Sequence, residues 1–452
     1  MGIKRLKKIA GKLDALNPIL EMGRVSQTLG ILVEASGPKV SVGDMCKIQS
    51  NGDWIPAQVV GFRDDRILLM SLNNTRGLRS AASVVSAGGP LLAPVGQGLL
   101  GRVISGLGEP LDKKGPLHDV SLRPLEAAAP DPLERRRIRA PLSTGIRSID
   151  AFLTLGQGQR TGILAGTGVG KSVLLGSIAR HTQAQVSVIA LVGERGREVR
   201  EFIERDLGAG LERSVVIAAT SDQPPLVRIK AALLAVTVAE YFRDQGMNVL
   251  LMMDSLTRVA TAQREIGLAA GEPPTTRGYP PSAFTLLPQL LERCGNNKNG
   301  SITGLFAVLV ESDDLAEPVA DAARAVLDGH IVLSRRLAVS NHYPAVDVLE
   351  SISRVMDDIV DPEHQASAGR LRHLIAAYRE AEDAIQLGAY VKGSQPLVDR
   401  ALRQWDQITG FLRQGRNEGC DFATTIAGLK ELAQVGDTVA EGEKAEKQGA
   451  TS

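Results

Sequence analysis

Hydrophobic and polar positions recur along the chain with three different patterns, and each pattern marks a different kind of element. Residues 3–16 (IKRLKKIAGKLDAL) place Leu6, Ile9, Ala10, Leu13 and Leu16 on one helical face, with Lys4, Arg5, Lys7, Lys8 and Lys12 mostly off that stripe. The spacing predicts a basic amphipathic helix within residues 1–20, ended near Asn17-Pro18. A helix of this kind docks on a partner, rests on an anionic membrane surface, or packs on its own domain. Over residues 21–95 the apolar runs shorten and are split by Gly, Asn and Asp. Asn51-Gly52 separates MCKIQS from WIPAQVVGF, the residue pair that tight hairpins favour because both central positions need positive φ. With RILLMSL (66–72) as a further strand, the stretch predicts a small antiparallel β-barrel without chemistry of its own.

The pattern changes again over residues 96–365. VSVIALV (186–192), SVVIAAT (214–220), NVLLMMD (248–254) and SITGLFAVLV (301–310) are continuous apolar runs between helical segments. Strands covered on both faces read this way, so a doubly wound α/β domain with a mainly parallel sheet is expected. Residues 366–437 are helical in pattern (AGRLRHLIAAYREAEDAIQLG, then PLVDRALRQWDQITGFLRQG), with Gly388 and Gly415 as expected helix stops. Residues 438–452 are polar and poor in apolar side chains, the composition of a disordered tail.

Composition narrows the function classes. With 52 basic and 51 acidic residues among 452, the net charge of +1 gives no electrostatic footprint for nucleic acid. Aromatic residues make up 3%, too few for a base-stacking platform. Cys46, Cys294 and Cys420 are widely spaced without a CxxC, as expected of reduced thiols. No apolar run reaches the ~18 residues of a membrane span, and the N-terminus lacks a signal-peptide core, so a cytoplasmic protein is expected.

Residues 165–172 read AGTGVGKS, between the strand TGILA and the helical SVLLGSIAR. Strand, Gly-rich loop and helix together form the setting of a phosphate cradle. Gly166, Gly168 and Gly170 let backbone N–H groups turn onto phosphate oxygens, and the helix N-terminus adds partial positive charge. Lys171 then reaches the β- and γ-phosphates, and Ser172 offers a hydroxyl to Mg²⁺. The strict pattern begins with Gly where this chain has Ala165, and a small residue still fits. The expected ATP-binding segment is Ala165, Gly166, Thr167, Gly168, Val169, Gly170, Lys171, Ser172 and Val173. Asp254 ends the run NVLLMMD, where a carboxylate holds a Mg²⁺-bound water. Glu194 follows VSVIALV at the same sheet edge; by its residue type it either orients attacking water or pairs with Arg195 or Arg197.

Three longer segments carry a resemblance. GERGREVREF (193–202), GEPPTTRGYPPSAFTLLPQLLERCG (271–295) and PAVDVLESIS (344–353) resemble the catalytic subunits of rotary ATP synthases and the type III export ATPases similar to them. The likeness runs from about residue 20 to 435. It implies a multidomain chain: an N-terminal antiparallel β-barrel, a central RecA-like α/β P-loop domain and a C-terminal α-helical domain. It also implies roles by position. Glu194 matches the carboxylate that orients water, with Arg195 and Glu198 beside it. Arg258 matches a γ-phosphate contact, Tyr343 the aromatic that packs on adenine, and Arg354 an arginine finger reaching into a neighbour's site. A finger in trans contributes ~10³–10⁵ in rate, which makes hydrolysis depend on assembly.

LGAYVKGS (387–394) and GILAGTGVGKSVLLG resemble the flagellum-specific export ATPases. That resemblance implies a homohexamer, a central stalk protein, a stator-like regulator at the N-terminal helix, and export substrates with their chaperones at a gate on the inner membrane. The rival readings are an injectisome-type ATPase, a catalytic subunit of an ion-pumping synthase, a non-catalytic nucleotide-binding subunit and a nucleic-acid translocase. Glu194 argues against the non-catalytic subunit, which carries an amide there. A barrel with Trp54 and Phe62 but no aromatic cluster argues against the translocase.

Overall fold

The computed structural model describes residues 21–310 and 317–434. The expected amphipathic helix (3–16) and polar tail (438–452) lie outside the described residues. The chain forms two compact units, the first built mainly from residues up to Leu92.

In the first unit, six strands close a barrel: β1 (Met22–Leu29), β2 (Leu32–Ser36), β3 (Asp44–Ser50), β4 (Asp53–Arg63), β5 (Arg66–Ser71) and β6 (Ser83–Pro90). Their order around the wall is β1-β2-β5-β4-β3-β6, with all neighbours antiparallel. Asn51 (φ 50°) and Gly52 (φ 96°) make the β3–β4 turn between the paired Ser50 and Asp53, both with the positive φ that such a turn needs. Val33, Ile48, Val59, Leu69 and Val84 are among the inward-facing side chains that fill the interior. Burial there pushes the Cys46 thiol up to about 11, and all three cysteines are free.

The second unit holds a nine-stranded sheet. Eight strands form its main path: β7 (Arg102–Ser105), β8 (Arg160–Ala165), β9 (Val186–Val192), β10 (Ser214–Ala219), β11 (Asn248–Asp254), β12 (Ser301–Leu309), β13 (Gly329–Leu333) and β14 (Val346–Ser353). They lie in the order β14-β13-β8-β12-β11-β9-β10-β7, and Gly295–Asn296 adds a short antiparallel strand on β12. All pairs along the main path are parallel except β13–β14. The four apolar runs read from sequence form β9, β10, β11 and β12, buried almost throughout because helices cover both faces.

A buried carboxylate ties down residues 143–145, ahead of β8. Asp150 accepts hydrogen bonds from the Ser143 hydroxyl (2.8 Å), the Thr144 N–H (2.9 Å) and hydroxyl (2.7 Å), and the Gly145 N–H (3.1 Å). Burial nevertheless pushes its pKa up to about 6.

The helices that position the site are α1 (Lys171–His181), α2 (Gly196–Glu201), α3 (Leu256–Ala270), α4 (Pro281–Glu292), α5 (Pro362–Gln386) and α6 (Pro396–Leu412). Helix α5 starts at Pro362, ahead of residue 366, because the Asp361 carboxylate caps it by accepting from the His364 N–H at 2.7 Å. Gly388 follows α5 at φ 68°, the left-handed stop expected of it. Gly415 does not play that part. Helix α6 ends at Leu412, because Arg413 turns to extended backbone (φ −77°, ψ 137°) and leads the chain toward the nucleotide loop. Tyr378 on α5 and Trp405 on α6 stack at 3.6 Å between ring centroids, locking the two helices together.

Candidate active site

The Gly-rich loop leaves the sheet at Ala165, the last residue of β8, and returns at Lys171, the first residue of α1. Gly168 (φ 81°) and Gly170 (φ 91°) are left-handed, so the loop closes on itself with its N–H groups at the helix N-terminus. Gly170 is also the residue over which the Tyr343 ring lies, since a Cβ added there would sit 3.4 Å from Tyr343 Cε1.

Three charged side chains converge beside the loop. Lys171 Nζ forms a short ion pair with Asp254 Oδ1 and lies 3.7 Å from Glu194 Oε1. Asp254 ends β11, and Glu194 is the second residue after Val192, where β9 ends, so the parallel register delivers both carboxylates to the edge where β8 delivers the loop. The Asp254 side chain is 3% exposed and that of Glu194 17%. Burial, and then the charge of Asp254, push the Glu194 pKa up to about 7, against the pull of Lys171. Glu198 lies within hydrogen-bond reach of Glu194, and that contact and Arg195 hold Glu198 below the usual carboxylate range. A carboxyl poised near neutrality beside a lysine is suited to accept a hydrogen bond from water.

The remaining residues named from sequence separate into two groups. Arg258, on the first turns of α3, packs its stem over Gly193; a Cβ there would come within 2.8 Å of Arg258 Cβ, so only glycine allows the approach. Arg258 lines a cavity with Ala165 and Thr167 on one side of the loop. Arg195 is 82% exposed and pairs with Glu198 at 3.1 Å. Ser172 is exposed at the start of α1, and Val169 is buried. Tyr343 lies at the loop's edge of the sheet, because Val346 pairs with Leu333 and Leu333 with Ala165.

Arg354 is at the other edge. Ser353 pairs with Gly329, where β13 begins, and the Arg354 N–H bonds to the Asp328 carbonyl at 3.0 Å. The six residues of β8 therefore separate Arg354 from its own phosphate loop by about 20 Å, beyond the reach of one arginine side chain. Arg354 is solvent-exposed.

A cavity of about 650 Å³ opens on the other side of the loop, between Val169, Gly170, Val173 and Tyr343 and the segment containing Gln414 and Glu418. Gln414 holds its wall in place. Its N–H donates to the Tyr343 carbonyl (2.8 Å), its side-chain amide donates to the Gly145 carbonyl (2.7 Å), and its amide oxygen accepts from the Arg147 N–H (2.9 Å). Sequence reasoning missed Gln414 and Glu418, which lie in no motif and reach the cavity only through the turn after α6. Its volume and mixed apolar and polar wall suit a purine base.

Asp254 and Ser172 offer hard oxygen donors of the kind Mg²⁺ takes. Among the described residues no group of three or more His, Cys, Asp or Glu side chains is placed to hold a metal.

Three family models match the chain. The ATP synthase alpha/beta family, beta-barrel domain, matches residues 25–88; the same family's nucleotide-binding domain matches 145–353; and the T3SS EscN ATPase C-terminal domain matches 360–431. The flagellum-specific ATP synthase of Bacillus subtilis is 52% identical over 416 residues, covering 91% of this chain and 94% of that protein. The type 3 secretion system ATPase of Xanthomonas euvesicatoria is 51% identical over 407 residues, 89% of this chain and 92% of its own. Among solved structures, the assembled ATPase EscN of the enteropathogenic E. coli type III secretion system superposes with a TM-score of 0.87 at 42% identity, over 91% of this chain and 100% of that one. EscN in complex with its central stalk EscO gives a TM-score of 0.84 at the same identity and coverage.

Proposed function

Because the chain belongs to the ATP synthase alpha/beta family, we propose that it is the ATP hydrolase of a protein-export apparatus of the flagellar type, working as a homohexameric ring. The reaction is ATP + H₂O → ADP + inorganic phosphate. The observation that carries this reading is the separation within one chain. Lys171, Asp254 and Glu194 meet at one edge of the sheet, while Arg354 stands exposed at the opposite edge. A ring of identical subunits brings the second edge of one chain to the first edge of the next.

In that ring the loop amides and Lys171 hold the phosphates, and Arg258 steadies the terminal one from the α3 side. Bound phosphate would compete with Asp254 for Lys171 and free the Asp254 carboxylate. Ser172 and Asp254 would hold Mg²⁺, which supplies charge neutralisation of the phosphate oxygens. Glu194 aligns water in line with the terminal phosphorus; burial and Asp254 raise its pKa against Lys171, and Glu198, itself paired with Arg195, stands beside it. Arg354 of the neighbouring subunit stabilises the charge that spreads over the transferring phosphoryl group. The base lies in the cavity under Tyr343, whose wall comes from the turn after α6, so base binding and the placement of the C-terminal helices are mechanically linked.

EscN has been solved with a central stalk, and by that likeness the present ring takes a stalk protein through its axis. The inner loop (271–281), the stator-like regulator, the chaperone-bound cargo and the membrane gate complete the apparatus. Among the described residues no helix is long and apolar enough to cross a membrane. The near-equal identity to the Xanthomonas secretion ATPase supports an injectisome role as the second reading. Glu194→Gln tests the enzymatic core: the variant keeps nucleotide binding and loses phosphate release, and wild-type turnover would refute the assignment. Deleting the gene in its host separates the two export roles, since loss of flagellar filaments supports the first and intact filaments with lost effector secretion the second.

A further inference from the structure

The segment ahead of the nucleotide-binding domain packs four guanidinium groups into residues 135–139, and no catalytic role has been given to any of them. Arg135 is neutralised: its guanidinium donates to the Cys294 carbonyl at 2.7 Å and pairs with Glu292 at 3.2 Å. The same Glu292 carboxylate also pairs with Arg160 at 2.6 Å, so its charge is shared between two guanidinium groups. Among the described residues the Arg136 guanidinium donates only to the Lys298 carbonyl, and the Arg136 carbonyl accepts from the Asn296 side-chain amide at 3.3 Å. Arg137 and Arg139 are exposed and have no ion pair among the described residues.

These three arginines line a cavity of about 450 Å³ at the start of the parallel strands. Asn248 opens β11 and Ser301 opens β12. The cavity is therefore at the opposite edge of the sheet from the Gly-rich loop. Asn296 and Asn299 complete one wall, and among the described residues no carboxylate lines it. The Asn248 amide oxygen is occupied by the Ser301 hydroxyl at 2.9 Å, which leaves its NH₂ as a donor beside the guanidinium groups. Three like charges this close repel one another, and each guanidinium presents a planar fork of N–H donors that matches the oxygens of a phosphoryl group.

We propose that this cavity is a phosphoanion-binding site distinct from the nucleotide loop, with Arg137, Arg139 and Asn248 as its principal donors. Its ligand is a free di- or monophosphate group held by guanidinium forks rather than by a helix N-terminus.

The test uses the full chain carrying Lys171→Ala, so that the Gly-rich loop contributes little, and labelled inorganic pyrophosphate and inorganic phosphate in equilibrium dialysis. The expected result is saturable binding to the Lys171→Ala chain that weakens at least tenfold on adding Arg137→Gln and Arg139→Gln. Lysine at both positions keeps the charge without the fork, so binding should return only in part, between the wild-type and glutamine levels; Asn248→Asp, which puts a carboxylate among the donors, should weaken it again. Thermal melting of each variant shows whether it is folded, and the lysine pair keeps the comparison valid if the glutamine pair is not. Absent binding, or binding that the glutamine pair leaves unchanged, overturns the proposal. Because no turnover is measured, failure here is separate from failure of the hydrolase assignment.

Discussion

Replacing Arg354 by alanine removes a guanidinium that lies about 20 Å from the phosphate loop of its own chain, as the length of β8 requires. Its N–H to the Asp328 carbonyl is a backbone contact and survives the change, and the side chain is exposed, so folding is expected to be unaffected. If the side chain completes the neighbour's site, turnover falls by about 10³-fold or more while nucleotide affinity changes little. The decisive assay mixes this variant with Glu194→Gln. An Arg354→Ala chain offers an intact loop and carboxylate, and a Glu194→Gln chain offers an intact guanidinium. In randomly assembled 1:1 rings about one quarter of the interfaces unite the two. Independent interfaces then give up to about one quarter of the wild-type rate per chain, far above either parent. The mixture should be assembled from dissociated chains at several ratios, with phosphate release followed by a coupled assay. Activity equal to the weighted sum of the parents at every ratio refutes a finger acting in trans.

Further perturbations follow from the same geometry. Glu194→Gln should lower turnover by about 10²–10⁴-fold. In the wild type, turnover should decline as pH falls through about 7, where Glu194 takes up its proton; this acid limb should vanish in the variant, and its persistence would point to another group. The same shift has a stability consequence. A carboxyl whose folded pKa is raised binds more protons folded than unfolded between about 4.5 and 7, so it costs stability as pH rises through that window. Glu194→Gln should therefore melt above wild type at pH 8 and match it below pH 4.5 in nucleotide-free protein. Tyr343→Ala should raise the KM for ATP about tenfold while Tyr343→Phe stays close to wild type, because the ring over Gly170 makes the contact. Asp150→Ala strands four buried donors and should destabilise the chain by about 3 kcal/mol or more in urea unfolding; less than about 1 kcal/mol would show that Ser143, Thr144 and Gly145 find other partners.

Local physics made much of this structure readable in advance. Asn51-Gly52 announced its hairpin because few other pairs take two positive φ values in succession. The runs that became β9 to β12 announced a sheet covered on both faces because no charged residue interrupts them. The phosphate loop was legible because its glycines, lysine and flanking elements are contiguous. Features that depend on distant pairing were not legible from residue pattern. The strand order, with β8 between β12 and β13, is set by crossovers rather than by any local spacing. Gln414 reaches Gly145 across the fold, and no periodicity points to it. Gly415 looked like a helix stop, yet the helix ends earlier because Arg413 leaves helical geometry. A net charge of +1 described the whole chain correctly and concealed the arginines at 136–139, whose excess is local.

The central claim is that one ATP is gripped from two chains, and activity per chain measured against protein concentration tests it most directly. Phosphate release should rise steeply over the range in which sedimentation shows chains associating, and should be near zero for the dilute monomer. A monomer, verified by sedimentation, that hydrolyses ATP as fast per chain as the assembled ring would contradict the account.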